Sequence, residues 1–396
     1  MKLAILGSGL MGTAAAKYLV ERNEVKAVQV IDRDKARLEN ALKTAKSTKL
    51  TSRVLEASDK AAITGALRGF DAALIALPHA TSFSADEAAI AAGVNAVDLV
   101  FEDMQMKLHS KCVRAGVTLI PGCGVAPGIV QILAAEAARE LNSVDEIHML
   151  VGGLPQVPRP PLNYRIVFSF DSVLQMYANP HVRVVRGGKV KTTRALSEVE
   201  KVFFPAPYGE MEAFLTDGLA TLLYTMKGRV KIMDEKTIRY PGHAEQIKTL
   251  IETGLASTKP VNVNGVKVVP RNLLSTIVGP KLTLGKERDV TLLRVTVCGS
   301  RDGSDVRYDY EMIDRYDQVE KVTSMARTTA FTGAIATMML ADRRIDAKGT
   351  LAPESCFTGS TFKTLFQRLA EKNVKISRTV TSRKPNLANP RKSLRE

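Results

Sequence analysis

The stretch ILGSGLMGTAAAKYLVERN, Ile5 to Asn23, decides the fold. It closes an apolar run, KLAIL, that reads as a short buried strand. Gly7, Gly9 and Gly12 follow, with a helical stretch from Leu10 to Glu21. In that setting each glycine has its own task. Gly7 allows the tight turn out of the strand, Gly9 lets the backbone approach a pyrophosphate, and Gly12 lets the helix pack closely on the sheet. The helix start, with Leu10 and Met11 in its first turn, offers unsatisfied N–H groups and a partial positive charge to phosphates. A second strand-like run, VKAVQVID, ends at Asp32. An acid there accepts hydrogen bonds from a ribose diol, which completes the dinucleotide pattern. Asp32 also repels a 2′-phosphate and so favours NAD over NADP, while Arg33 and Arg37 pull the other way.

Working outward, DAALIAL, NAVDLV and VTLIP are compact apolar runs separated by helical stretches around SADEAAIAAG and EDMQMKLHSKCVRAG. This alternation specifies an α/β domain over residues 1–125, a parallel sheet with helices on both faces. After Gly128 the texture changes. EIHMLVGGL, NYRIVFSF, HVRVV-RGG-KVKTT and TLLRVTVCGS-RDGS-DVRYDYEMI read as antiparallel strands and hairpins with Gly-Gly and Asp-Gly tips. Residues 126–320 are therefore expected to form an α+β domain on a mostly antiparallel sheet. VTSMARTTAFTGAIATMMLAD returns the chain to helix in 321–370, and 371–396 reads as a basic, flexible tail.

Composition narrows the class. The chain has 396 residues, 45% of them hydrophobic and 24% charged, which suits a soluble protein of two domains. No apolar run is long enough for a membrane span, and the N-terminus lacks a signal-peptide layout. Cys112, Cys123, Cys298 and Cys356 form no CxxC pair, which argues against a disulfide framework or a metal site and for a cytoplasmic setting. The net charge is +15. About half of that excess lies between Lys372 and Glu396, where eight basic residues face one acid and no aromatic is present to stack on bases. Nucleic acid is not the expected partner. A small-molecule amino-acid substrate is, and the second sheet suggests a homodimer or higher homo-oligomer.

In an open parallel sheet the site lies beyond the carboxyl ends of the strands. Pro78 and His79, Asp98, and the PGCGVAPG loop carrying Gly122, Cys123 and Gly124 end there. His79 reads equally as a general acid or base and as a strand-end contact; Asp98 reads as a catalytic group or a loop cap. Cys123 reads best as a small filler. Two further stretches look chemical: PYGEMEAFLTDG, with Glu210, Glu212, Thr216 and Asp217, and DEKTIRYPGHAEQIKTL, with Arg239, Tyr240 and His243. An arginine suits a carboxylate and a histidine suits proton movement. The plain alternatives are an ion pair for Arg239 within the sheet and a helix cap for His243.

The stretches GCGVAPGIV, NYRIVFSF, FPAPYGEMEAFLTDGL and MDEKTIRYPGHAEQIKTL resemble the lysine 6-dehydrogenase branch of the saccharopine dehydrogenase-like proteins, over residues 1 to about 340. The resemblance implies a Rossmann domain with an inserted α+β domain. It also implies NAD-dependent oxidative deamination of the ε-amino group of L-lysine, with an aldehyde that closes to a cyclic imine. A saccharopine or carboxy-polyamine enzyme acting on a secondary amine is the alternative. Relatives of the saccharopine type often carry Asp in a G-x-D-P-G loop, where this chain has Ala126. On this reading His243 is first choice as base, with Asp98 and Glu210 as the other catalytic candidates. Arg239 holds the substrate carboxylate with Tyr240, Thr216 and Asp217 nearby, and water is ordered by Glu210 or Asp217.

Overall fold

Seven parallel strands build the first sheet of the computed structural model, which describes residues 1–167 and 170–384. They are β1 (Lys2–Leu6), β2 (Ala27–Asp32), β3 (Leu50–Val54), β4 (Ala72–Ile75), β5 (Asn95–Asp98), β6 (Thr118–Ile120) and a short edge strand, Gly349–Thr350. The order is edge-β6-β5-β4-β1-β2-β3, so the chain reverses its winding direction between β1 and β4. Ligands of such sheets bind at that switch point. Apart from the exposed Lys2 at the start of β1, β1 and β4 are buried because helices cover both faces, and their sequences are correspondingly unbroken apolar runs. β3 escaped the sequence reading for the same reason in reverse: four of its five residues are exposed, and LTSRV carries no apolar run.

Helix α1 (Leu10–Val20) buries Gly12, Ala14, Ala15 and Ala16, whose small side chains allow close approach to the sheet. Two more helices matter for the site: α2 (Lys35–Ala45), capped by Asp34, and α3 (His79–Ala92), which begins after Pro78. The first unit comprises residues 1–136, 220–225 and 326–375, so 321–325 belongs to the second unit and the helical segment from 326 on to the first. Its segment Arg327–Phe331 is a π-helical turn that runs directly into helix Thr332–Ala341. Gly333 in that helix sits where a Cβ would meet Leu99, Leu74 and the Cys123 carbonyl.

The second unit, residues 137–219, 226–325 and 376 onward, is built on a nine-stranded mixed sheet. Its strands are β7 (Ser143–Pro155), β8 (Val182–Arg186), β9 (Lys189–Thr193), β10 (Glu200–Phe204), β11 (Gly209–Leu215), β12 (Val230–Arg239), β13 (Asp289–Arg301), β14 (Ser304–Arg315) and β15 (Ser377–Arg383). Most pairs are antiparallel as expected; β7 and β12 pair in parallel. Both expected hairpins form. Gly187 and Gly188 turn β8 into β9, and Asp302 and Gly303 turn β13 into β14, all four with positive φ.

The basic tail is not wholly a tail. Ser377–Arg383 pairs antiparallel with β14 in a seven-residue register, and Arg378 donates to Glu140 at 2.6 Å. The consecutive β-branched residues Thr379, Val380 and Thr381 suit a strand and outweigh the charge that made the segment look disordered. Residues 385–396 of that expectation lie outside the described residues. Among the described residues no helix is long and apolar enough to cross a membrane.

Candidate active site

The glycine loop turns tightly out of β1 into α1. Gly7 has φ +98°, and a Cβ there would meet the Ala76 carbonyl oxygen at 2.4 Å. A Cβ on Gly12 would meet the Gly7 carbonyl oxygen at 1.9 Å. Gly9, the residue before α1, has nothing within 4 Å of its Cβ position. Two glycines are thus required by the protein's own packing, and the third faces open space. No acid sits in the first turn of α1 to compete for its N–H groups, and Leu10 is 46% exposed with Met11 half-buried. These features fit a diphosphate group.

At the end of β2, Asp32 accepts from the Ser8 N–H and hydroxyl on one oxygen, at 2.7 and 2.8 Å, and from the Asp34 N–H on the other at 2.9 Å. Burial works against its charge. The hydrogen bonds from Asp34 and Ser8 outweigh burial and hold the carboxyl below the usual range. Arg33 is exposed and 3.5 Å from Glu56, and Arg37 is 3.4 Å from Asp34, so both are spread over the surface beside this acid.

Pro78 precedes α3, and His79 stands exposed at its start with Nδ1 3.2 Å from Glu102. Gly122 (φ +66°) donates to the Val100 carbonyl, and Gly124 donates to the Pro127 carbonyl with Thr329 against its Cβ position. Asp98 is fully buried. It accepts from Ser82 Oγ at 2.6 Å, Gln105 Nε2 at 2.8 Å and the Val100 N–H at 2.8 Å. Burial pushes its carboxyl up to about 7. Gln105 Nε2 also donates to Asp86, whose carboxyl is driven well above the usual range by burial and by the Asp98 charge. Asp98 is a loop organiser in this arrangement rather than a group open to substrate. Cys123 is buried, and burial pushes its thiol up, as a filler requires.

In the second unit β12 places its Arg239 2% exposed, with one guanidinium nitrogen donating to the Ile238 carbonyl at 2.7 Å. Its guanidinium carbon lies 4.9 Å from the Tyr164 ring centroid and 5.8 Å from that of Tyr177. No carboxylate of the described residues forms an ion pair with it. His243 opens helix His243–Glu252 and is 1% exposed, walled by Tyr164, Tyr177 and a stacked Phe214. Its Nδ1 lies 2.8 Å from the Leu162 carbonyl. Burial, aided by the Arg239 charge, pulls its pKa down to about 3. A ring held neutral to that degree is a weak base. In this environment the ring is held as a neutral hydrogen-bonding group.

The other candidates divide. Thr216 Oγ1 donates to Glu235 at 2.6 Å and lies 2.8 Å from Thr237 Oγ1. Burial pushes the Glu235 carboxyl up to about 8. Asp217 is held by Arg183, with contacts of 3.0 to 3.2 Å. Tyr240 donates to the Pro155 and Gln156 carbonyls, a structural anchor. Glu210 pairs with Lys201 at 3.0 Å on the exposed side of β11. It is Glu212 that caps the His243 helix, accepting from the Gly242 and Ala244 N–H groups at 2.9 and 2.6 Å. Glu212→Ala is expected to cost about 1–2 kcal/mol, and Glu210→Ala no more than about 0.5 kcal/mol. Urea unfolding at constant slope checks both. Tyr164 and Tyr177 were not found from sequence, because they lie in segments remote from Arg239; Glu235 was passed over although it sits four residues before Arg239 on the same strand.

The residues match two family models end to end: the saccharopine dehydrogenase NADP binding domain over 3–120 and the saccharopine dehydrogenase C-terminal domain over 124–374. The chain belongs to the saccharopine dehydrogenase family, and its first unit is a nucleotide-binding domain. It is 23% identical over 303 residues to saccharopine dehydrogenase [NADP(+), L-glutamate-forming] of Saccharomyces cerevisiae, covering 70% of this chain and 64% of that protein. It is 24% identical over 265 residues to the bovine mitochondrial alpha-aminoadipic semialdehyde synthase, covering 64% of this chain and 28% of that one. The chain thus spans less than two thirds of the length of these curated relatives. Among solved structures, apo saccharopine dehydrogenase of S. cerevisiae superposes with a TM-score of 0.79 at 20% identity, covering 96% of this chain and 99% of that one. Homospermidine synthase of Legionella pneumophila in complex with NAD superposes at 0.61 and 12% identity, covering 100% and 94%. These likenesses establish a shared fold. The lysine 6-dehydrogenase branch finds no specific support among them.

Proposed function

We propose that this protein is a nicotinamide-nucleotide-dependent oxidoreductase acting on the C–N bond of a secondary amine built from amino acids. The observation that carries the reading is the glycine loop, open at Gly9 and closed by packing at Gly7 and Gly12, in a chain matched along its length by both saccharopine dehydrogenase domains. The nucleotide, when bound, supplies hydride exchange. The chain's own part is binding and orientation. The α1 N-terminus takes the diphosphate, and Asp32, ionised by its three donors, takes the ribose and stands against a 2′-phosphate. That charge favours NAD over NADP. Arg239 supplies a buried cation for a substrate carboxylate.

Oxidation of the ε-amine of L-lysine is the second reading. Ala126 favours it, because the loop lacks the acid that saccharopine-type relatives often carry there. Nicotinamide absorbance separates the two. NAD(P)H formation with L-saccharopine but not L-lysine supports the first reading, the reverse supports the second, and turnover with neither sinks both. Running each with NAD and NADP tests the cofactor preference, expected at ~10-fold or more for NAD.

A further inference from the structure

Seventeen large apolar side chains stand exposed among the described residues, and six of them fall within the 23 positions 255–277 of the second unit. They are Leu255, Val261, Val263, Val266, Leu273 and Ile277, between 43% and 63% exposed. Scattered singly, such residues need no explanation; gathered, they mark a contact surface. The local fold shows why they gather. Val261–Val263 and Val266–Val268 form a two-stranded hairpin turned by Asn264 and Gly265, both at positive φ. Its register pairs Val261 with Val268 and Val263 with Val266, so four valines share one face and Asn262 and Lys267 take the other. Helix Pro270–Val278 starts directly after the hairpin. It turns Leu274 and Val278 into the core and leaves Leu273 and Ile277, one turn apart, as a second exposed stripe. The Arg271 N–H and Nε donate to the Ser257 and Ala256 carbonyls at 3.0 and 2.9 Å, which ties the helix start to the segment carrying Leu255.

Charge decides what can cover this surface. Residues 253–286 include Lys259, Lys267, Arg271, Lys281 and Lys286 and no acid. All four lysines are exposed. This stretch carries +5 and residues 372–396 carry +7, so only +3 of the net +15 is spread over the rest of the chain. A second copy docked here about a two-fold axis would set +5 against +5, and the basic C-terminus complements it no better. A protein partner needs acids placed in register with the five bases. An anionic lipid surface needs no register: its headgroups reach every base at once, and aliphatic side chains enter the acyl boundary. The apolar contact residues are all aliphatic, with neither the Trp nor the Tyr that anchor protein interfaces. We infer that the 261–268 hairpin and the exposed stripe of helix Pro270–Val278 form a docking surface for an anionic lipid bilayer, which the protein lies on and does not span.

This surface stands apart from the oxidoreductase reading, since none of its residues belongs to the glycine loop or to the Arg239 and His243 region. Vesicle binding without nicotinamide turnover, or turnover without vesicle binding, separates the two.

Flotation of the full chain with lipid vesicles is the test. Phosphatidylcholine vesicles with about a third phosphatidylglycerol should bind it ~10-fold or more tighter than phosphatidylcholine alone, and rising salt should weaken that binding. Lys259→Gln with Lys267→Gln should weaken binding to the anionic vesicles by ~10-fold or more. Val263→Gln with Val266→Gln should weaken it by ~5-fold or more, whereas isoleucine at both positions should bind at least as tightly as the parent. Melting temperature and NADH binding should hold in all three pairs, because these side chains are exposed. The inference is overturned if neither vesicle binds, which would leave the face to an acidic protein, or if both bind alike. It is also overturned if the glutamine-for-valine pair binds like the parent, since charge elsewhere would then hold the lipid. Self-association without vesicles that this pair abolishes would assign the face to a second copy and likewise overturn it.

Discussion

Gly9→Ala is expected to weaken nicotinamide-nucleotide binding by ~10–100-fold while leaving the melting temperature of the free protein in place. Gly12→Ala is expected to unfold the same region at a cost of about 2–3 kcal/mol. The two positions are three residues apart and carry the same substitution, so propensity cannot separate them; local space does. The Gly9 Cβ position has no atom within 4 Å, and its φ of −68° suits any residue. A methyl group there harms only what must approach from outside, the diphosphate. At Gly12 the methyl would lie 1.9 Å from the Gly7 carbonyl oxygen, a backbone atom that no side-chain rotation can move away. Alanine's helix advantage of about 1 kcal/mol offsets part of that clash and does not cancel it. Fluorescence titration with NADH and a thermal melt of each variant, side by side, check both halves. A Gly9→Ala protein that binds NADH like the parent would remove the diphosphate assignment.

The second large effect is on pH dependence. Asp86 and Asp98 share the Gln105 amide in a buried pocket, and burial raises both carboxyls, Asp98 to about 7 and Asp86 well above the usual carboxylate range. In the unfolded chain each titrates near about 3.9. Between those values the folded protein binds more protons than the unfolded one, so stability is highest in acid and falls as pH rises toward neutrality. Asp86→Asn imitates the protonated acid without needing a proton. It should therefore stabilise the protein by about 2–4 kcal/mol at pH 8 and by much less at pH 5. His243 contributes with the opposite sign, because its depressed pKa removes stability as pH falls from about 6.5. That term is common to both proteins and drops out of the difference. Denaturant midpoints of parent and variant from pH 5 to pH 8 measure it, and a difference that does not grow with pH would dissolve the coupled pair.

Much of this was legible in the chain, and the part that was not has a definite cause. KLAIL, the three glycines and Asp32 are close in sequence, so their spacing alone specifies strand, turn, helix and strand. The Gly-Gly and Asp-Gly tips set both hairpins locally. Ser377–Arg383 was misread because charge is a feature of composition, whereas a strand at a sheet edge depends on a neighbour, here β14. β12 is a sharper case. Asp234, Glu235 and Lys236 look like a solvated run, yet all three are buried, Asp234 between His148 and Arg186 and Lys236 against Glu200.

The sequence by itself determined the nucleotide domain, because the dinucleotide loop uses residues within one strand–turn–helix unit whose backbone conformations are local properties. It also singled out Arg239 and His243 by residue type. Only the tertiary structure decided what they do. Tyr164 and Tyr177 come from separate segments, and nothing in the order of residues says that their rings will be buried against that arginine. Nor does it say that burial will make the histidine too weak to hold a proton. Desolvation and hydrogen-bond partnering arise only when distant segments pack, so these properties belong to the fold.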